Sequence, residues 1–497
     1  MTEPLPSKAT LLVQLLEDNG AEFFHDTDGK NYFSEFKNGR METLLLSANR
    51  FKRFLTGIYS ESYKSVPSSS VIQDALTHLE YKAQMGPCKS VYIRVARVQR
   101  ETDIFIYCDL ANEERDVVEI SATGWQIIKD PPVHFIRKDG LEALPKPERG
   151  GNLDTLQNFI NIAPKDLVLI KGWLLGTVSG QGPYPILVLV GEQGSGKTFT
   201  SRILRSLVDP SKALTRILSR DIRALMIAAS NSHILSYDNV SSISMGFSDA
   251  FCSLATGIGF SDRTLYTNED ETIFQATRPI LINGIDISRR PDFQDRSITI
   301  ECPRLVEKNR KTEEEILEEF YQEQPKLLGA LCDSVAVALE NLPKTRLDVL
   351  PRMADFAKWV AAASSKIETN GANFLETYKA NREAGNTQIL ETTLPSVITK
   401  WFDGKRTWEG TATELLKELR NANMEDGNDK IKLPADGAHL SREISRLIPS
   451  LRLADPPIYI TKARNRKGSN MRISNSEEEQ LDQEVQLIFG QGEMEYL

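Results

Sequence analysis

The chain has 497 residues, 40% of them hydrophobic and 26% charged, and its 60 lysines and arginines are outnumbered by 69 aspartates and glutamates for a net charge of −9. This is the balance of a water-soluble globular protein long enough for about three domains. It excludes a chain that binds nucleic acid by bulk charge, so any such contact must rest on local patches. No stretch approaches the ~18 apolar residues of a membrane span, and MTEPLPSKAT at the start lacks the basic-then-apolar order of a signal peptide. A cytoplasmic protein without a membrane role is expected. The five cysteines, Cys88, Cys108, Cys252, Cys302 and Cys332, are scattered and odd in number, with no C-x-x-C pair, which argues against both a disulfide framework and a zinc site.

Residues 1–150 read as an α+β domain. A short helical pattern spans Leu11 to Leu16, an irregular stretch rich in aromatic and basic side chains follows, and a helix is predicted over Ser70 to Ala83. From Ser90 the segments VYIRVARV, DIFIYCDL, DVVEIS, GWQII and HFIRK alternate apolar and polar residues between polar turns, which predicts strands. Asp109, at a strand end, has no second carboxylate two residues away and reads as a turn aspartate rather than a metal ligand. The stretch DGLEALPKPERGGN, ending at Asn152, has two prolines, three glycines and no apolar period, the composition of a linker. Helical patterns over Leu153 to Ile162 and Lys165 to Val178 follow.

The apolar run Ile186 to Val190 then enters GEQGSGKT, Gly191 to Thr198, and a helical stretch from Thr198 to Val208 leaves it. This is the pattern G-x-x-x-x-G-K-[ST] in the strand–loop–helix setting that gives it a mechanism. Gly191, Gly194 and Gly196, with Ser195 among them, let successive backbone N–H groups turn inward around phosphates at a helix N-terminus. Lys197 reaches the β- and γ-phosphates and Thr198 offers its hydroxyl to Mg²⁺. ATP and Mg²⁺ are the expected cofactors.

A basic helical segment, Leu214 to Ala229, leads to the strand HILSYDNV. The Mg²⁺ shell needs a carboxylate opposite the loop, and Asp238, closing Ile234 to Tyr237, supplies it. The next residue is Asn239, where many such ATPases carry a water-orienting glutamate; Asp249 and Glu271 are weaker sources of a base. A third apolar strand, in RPILINGI, places Asn283 where a polar side chain can touch the γ-phosphate or the attacking water. Beyond it come Arg289, Arg290 and Arg296, and arginine, always ionised and forked, suits charge on a transferring phosphoryl group. Lys311 to Leu342 is helical, first acidic and then with Leu328, Leu331, Val335, Leu339 and Leu342 along one face. Another helix opens at LPRMADFAKWVAAA with Pro351 in its first turn, and Arg352 would then face the nucleotide.

Gly371 to Asn386 has little periodicity and reads as the way out of this helical part. Three helices follow, Leu394 to Phe402, Thr411 to Ala422 with Thr411 as its cap, and Leu440 to Ile448. Two β segments, IYITKAR and MRISN, are joined through NRKGS, and three helices with a hairpin is the layout of a winged helix. Ile458 to Ile473 contains Lys462, Arg464, Arg466, Lys467 and Arg472 and no acid, a local patch of the kind phosphates select. From Ser476 the tail has seven acids and no base, the composition of a mobile extension.

In this order, GEQGSGKT, YDNVSSI, SDAFCSLATGIGFSDRTLYTNEDE, RPILINGI, RPDFQDRSI and LPRMADFAKW resemble the AAA+ ATPases carried by bacterial phages, plasmids and integrated elements. Those are similar to the helicase modules of phage and plasmid primase-helicases and, more distantly, to superfamily 3 and MCM-like helicases. The resemblance covers roughly residues 150–380. It implies a ring-forming motor, a hexamer or heptamer, that acts on DNA with a primase or other replication protein among its partners. Lys197 and Thr198 would be the Walker A pair, Asp238 the Walker B acid, Asn283 the sensor 1 residue, Arg296 the arginine finger for a neighbouring subunit and Arg352 the sensor 2 arginine. Gly259 to Phe274 would be a channel hairpin touching DNA, with Arg263 its one basic residue against Asp262, Glu269, Asp270 and Glu271.

The expected fold is therefore α/β: an AAA+ P-loop core at 151–305 and a helical lid at 306–385, preceded by the α+β domain at 1–150 and followed by a winged-helix-like domain at 386–475 and the tail at 476–497. The expected function is ATP-dependent DNA unwinding or translocation in replication of a mobile element. The alternatives are a slowly hydrolysing ATP-gated loader, which Asn239 would permit, and a non-motor DNA-binding initiator in which ATP only sets the oligomeric state.

Overall fold

The computed structural model describes residues 6–37, 40–258, 260–263, 271–274, 276–284, 287, 290–305, 312–369, 371–392, 394–425, 433–452, 454, 456–465 and 468–475. Two compact units divide the chain, one made of Met1–Ser241, Ser253–Ile285 and Ile300–Thr377, the other of Ser242–Cys252, Asp286–Thr299 and Tyr378–Leu497.

The first unit opens with the helix Lys8–Asp18, whose Ser7 cap accepts the Thr10 N–H. The stretch read as irregular is instead ordered. It forms the antiparallel strands Glu22–His25, Asn31–Lys37 and Arg40–Leu45 and then the helix Asn49–Tyr63. Two of its aromatic residues, Phe33 and Phe51, are fully buried and pack with Leu12, Leu55 and Leu79 in one core. The helix expected from Ser70 runs from Ser69 to Met85. Val95–Arg100, Asp103–Asp109, Val117–Ser121 and Gly124–Ile128 make the expected antiparallel sheet in sequential order, and the short strand His134–Phe135 pairs in parallel with Val91–Tyr92. The Asp109 carboxylate accepts from Arg137 Nε at 2.9 Å and Nη2 at 2.6 Å and from the Ala111 N–H. It is a structural anchor, as a turn aspartate should be.

The segment 139–152 contains no helix or strand, yet it is pinned along its length. Glu142 donates its N–H to Pro210 O, Leu144 to Leu110 O and Glu148 to Pro325 O. Close backbone approach makes two glycines obligatory here, since a Cβ on Gly329 would lie 1.7 Å from Glu148 O and one on Gly151 would lie 2.0 Å from Lys326 O. A second tie is Arg94, which is 0% exposed. It donates to the Asp209 carboxylate at 3.2 Å and to the carbonyls of Asp109, Glu142 and Pro210.

A five-stranded sheet has the order Arg216–Ile217, Leu235–Val240, Ile280–Gly284, Ile186–Val190, Ser297–Glu301. The first four pair in parallel. ILVLV is buried at four of its five positions, the continuous apolar run of a strand covered on both faces. Every residue of the helix Leu167–Thr177 is buried, as an all-round apolar helix requires, and its Lys171 is paired with Asp154 at 2.5 Å.

Several expectations need correction. Leu153 to Ile162 is a 3₁₀ helix only over Leu153–Asn158, and the chain is extended at Ala163, just ahead of Pro164. Leu214 to Ala229 splits into the strand Arg216–Ile217 and the helix Ile222–Asn231, where Asp221 caps the helix by accepting the Arg223 N–H at 2.9 Å. Pro351 lies ahead of the helix Ala354–Ala362 rather than in its first turn. Gly371 to Asn386 is mostly the helix Phe374–Thr392, started by Glu368, which accepts the Phe374 N–H, and by Asn373, which accepts the Glu376 N–H.

In the second unit the helices Leu394–Phe402, Ala412–Glu425 and Gly437–Arg452 pack with a three-stranded sheet ordered Thr407–Thr411, Gly468–Ser474, Tyr459–Asn465. The first of these strands was not expected. Its last residue is the anticipated cap, with Thr411 Oγ1 accepting the Glu414 N–H and Glu414 Oε2 accepting the Thr411 N–H. Trp401, Leu415, Leu440, Ile444, Ile460 and Ile473 fill the shared core. All five cysteines are free. Among the described residues, no helix is long and apolar enough to cross a membrane.

Candidate functional site

The glycine loop leaves the C-terminal end of Ile186–Val190, an inner strand of the sheet, and the carboxyl ends of parallel strands are where ligands of α/β folds gather. Gly191, Gly194 and Gly196 have φ of 151°, 80° and 75°, values that favour glycine. A Cβ on Gly191 would also lie 2.5 Å from Cys302 O. Gly196 caps the helix Lys197–Val208 without a side chain, and no acid sits in the first turn. That leaves a helix N-terminus open to an anion.

Lys197 bends over the loop. Its Nζ donates to Gly191 O and Glu192 O, each at 2.7 Å, and to Ser195 Oγ at 3.2 Å. Thr198 Oγ1 donates to Asp238 Oδ1 at 2.8 Å. Asp238 lies on the Leu235–Val240 strand, which bulges between Tyr237 and Val240, and Asn239 takes a left-handed φ of 53°. The Asn239 N–H is held by Asn283 Oδ1 at 3.0 Å, while Asn283 Nδ2 donates to Ser201 Oγ at 2.9 Å and Ser201 Oγ to Lys197 O at 2.9 Å. Asn283 is 1% exposed, so this chain of bonds fixes the ends of the strands Leu235–Val240 and Ile280–Gly284 to the helix start. A hydroxyl beside a carboxylate, below left-handed glycines, is a donor set that fits hard cations and phosphates.

One further residue was missed by the sequence reading. Asn161 Nδ2 donates to Ser195 O at 2.8 Å and to Pro303 O at 2.6 Å, buttressing the loop from outside. Its partners are 34 and 142 positions away, and no local signal marks them.

Arg352 is exposed in the turn before Ala354–Ala362. In the second unit Arg296 Nη1 donates to Asp292 O at 3.0 Å and pairs with the Asp292 carboxylate, and Arg290 pairs with Asp249 at 2.7 Å. Phe260–Arg263 and Glu271–Phe274 form an antiparallel hairpin, but the side chains of Arg263 and Glu271 lie outside the described residues. The same holds for the side chain of Arg464, for Arg289, Arg466 and Lys467 altogether, and for the acidic tail. Lys462 is folded inward, its Nζ donating to Ser441 O, Ser441 Oγ and Ser445 Oγ, and burial lowers its pKa.

Residues 152–386 match the family model of an actinomycete integrative conjugative element replication protein, and residues 394–484 match the model described as the AICE RepA C-terminal domain. The chain is similar to the replication proteins of integrative conjugative elements. No curated protein matches it. Among solved structures, the apo C-terminal region of NrS-1 is 14% identical, covering 93% of this chain and 98% of that one at a TM-score of 0.42. The JCV helicase is 13% identical, covering 47% and 63% at a TM-score of 0.23.

Proposed function

We propose that the chain is a replication protein of a mobile element whose 151–305 core is an AAA+ P-loop ATPase that drives DNA unwinding or translocation. The observation that carries this reading is the hydrogen bond between Thr198 and Asp238, 40 positions apart, beneath a loop of left-handed glycines. In this reading the N–H groups around Gly191, Gly194, Ser195 and Gly196 wrap the ATP phosphates, Lys197 swings from the loop carbonyls to the phosphate oxygens, and Thr198 and Asp238 hold Mg²⁺. Once bound, the metal neutralises charge on the β- and γ-phosphates. Asn283 keeps the turn after Asp238 in place, and to meet the reacting end its amide releases Asn239 or Ser201. Arg296 serves a neighbouring subunit of a homo-oligomeric ring as its finger, and Arg352 reads the nucleotide from the 306–385 lid.

The three helices and three-stranded sheet at 386–475 support a winged-helix-like DNA-binding domain. Its phosphate contacts fall to Arg464, Arg466 and Lys467, while Lys462 braces the sheet against Ser441 and Ser445. Arg263 on the hairpin would meet DNA inside the ring. A second reading is favoured by Asn239, which puts an amide and a fixed N–H where a water-orienting carboxylate is usual: a slowly hydrolysing ATP-gated loader.

Steady-state ATP hydrolysis and displacement of a labelled strand from a forked duplex, for the full chain beside Lys197→Ala, test the proposal. The parent should show both activities, and the variant should lose both while melting like the parent. Hydrolysis without displacement selects the loader, and a parent that does not hydrolyse ATP refutes the ATPase.

A further inference from the structure

Within the first unit, a cleft of about 460 Å³ opens where residues 44–53 and 136–141 meet the far end of the Lys197–Val208 helix. That helix has 12 residues, so the cleft lies about 18 Å along it from the glycine loop. The walls are set by backbone bonds, Glu142 N–H to Pro210 O and Lys212 N–H to Gly140 O, both at 3.0 Å, which makes the cleft preformed.

Its cations outnumber its carboxylates: Arg50, Arg53, Arg137, Lys138, Arg205 and Arg216 line it against Asp139 and Asp209. Arg205 is 1% exposed. Its Nε and Nη1 reach only the carbonyls of Asp209, Ala213 and Leu214, and its Nη2 has no hydrogen-bond partner. The nearest carboxylate oxygen, on Asp209, is 3.9 Å away, and that carboxylate is already bonded to Arg94. Arg216 adds a guanidinium bonded to the Ser232 hydroxyl, and Lys138 adds a half-buried amine. Burying cations with unfilled donors is costly unless an anion completes them.

An independent feature points the same way. The helix Asn49–Tyr63 begins at this cleft, and its cap position, Ala48, offers no side-chain bond to the first turn, which holds no acid. Arg50, which pairs with Glu42 at 3.3 Å, and Lys52 and Arg53 crowd that end instead, the wrong sign for the positive end of a helix dipole. Uncapped N–H groups and surplus cations are reconciled by one kind of occupant, a multiply charged oxyanion.

We propose that this cleft is a second phosphate-binding site, separate from the glycine loop, that grips a phosphate-bearing ligand between the start of the Asn49–Tyr63 helix and Arg53, Lys138 and Arg216. The phosphate belongs either to a free nucleotide or polyphosphate or to a nucleic-acid backbone. The proposal stands whether or not the glycine loop binds ATP.

Pyrophosphate titrated calorimetrically at low salt into the full chain carrying Lys197→Ala tests it. One site should remain. Adding Arg53→Gln with Lys138→Gln should weaken that site at least about tenfold. Ala48→Asp, also in the Lys197→Ala chain, places a carboxylate on the open helix end, so it should raise the melting temperature and weaken pyrophosphate together, which keeps misfolding from explaining the loss. No pyrophosphate binding before these changes, or unchanged affinity after both, overturns the proposal. Displacement of pyrophosphate by a single-stranded thymidine 12-mer assigns the site to a nucleic-acid backbone, and failure to displace assigns it to a free nucleotide or polyphosphate.

Discussion

Asn239 shows how much chemistry one backbone angle can hold. At φ 53° it occupies a region that asparagine and glycine tolerate and other side chains enter at a cost of about 1 kcal/mol. Its N–H is bound by Asn283. Asn239→Glu should therefore lower unfolding free energy by about 1 kcal/mol in denaturant titration, while Asn239→Gly should leave it near the parent; equal losses in both would point to the Asn239 side chain rather than the backbone. At this scale the glycine loop was legible because its spacing fixes which residues must turn left-handed, and Asp238 because an apolar run stops at it. The bulge after Tyr237 was not legible, nor was Asn161, whose contacts exist only once 195 and 303 are brought beside it.

At the scale of elements, close backbone packing makes one glycine costly to change and another free. Both Gly329 and Gly57 lie inside helices, where alanine is intrinsically better by about 1 kcal/mol. Around Gly57 a Cβ would meet nothing within 4 Å, whereas at Gly329 it would run into Glu148 O. Gly57→Ala should stabilise by up to about 1 kcal/mol, and Gly329→Ala should destabilise by at least about 1 kcal/mol despite the same propensity gain. Chemical denaturation of the two variants decides, and a stabilised Gly329→Ala would show that the 148–151 segment gives way. The strands from Val91 to Phe135 could be read from their apolar segments between polar turns, although the burial itself does not alternate, since Asp103–Asp109 ends in four consecutive buried residues. The meander at 22–45 could not, since its aromatic residues serve a core supplied by helices on either side in sequence. Nor could Phe374–Thr392, whose start depends on Glu368 and Asn373 rather than on an apolar stripe.

For the molecule as a whole, the proposed ring makes a claim about shared sites. An arginine acting on a neighbour's phosphate contributes about 10³ or more in rate in well-studied cases. Arg296→Ala and Lys197→Ala should each be inactive alone, and mixtures shown to co-assemble should recover hydrolysis, one supplying the finger and the other the loop. No recovery at any ratio counts against a site built from two subunits. A different consequence belongs to Arg94. Buried, and bonded to a carboxylate 115 positions downstream, it acts as a lock whose key is encoded a quarter of the gene away. In recombination between two related genes, any crossover between these two codons hands the offspring one half of the pair. Unless the other parent brings a matching partner, the hybrid inherits a buried charge without its closest countercharge, so this part of the gene is expected to be exchanged whole.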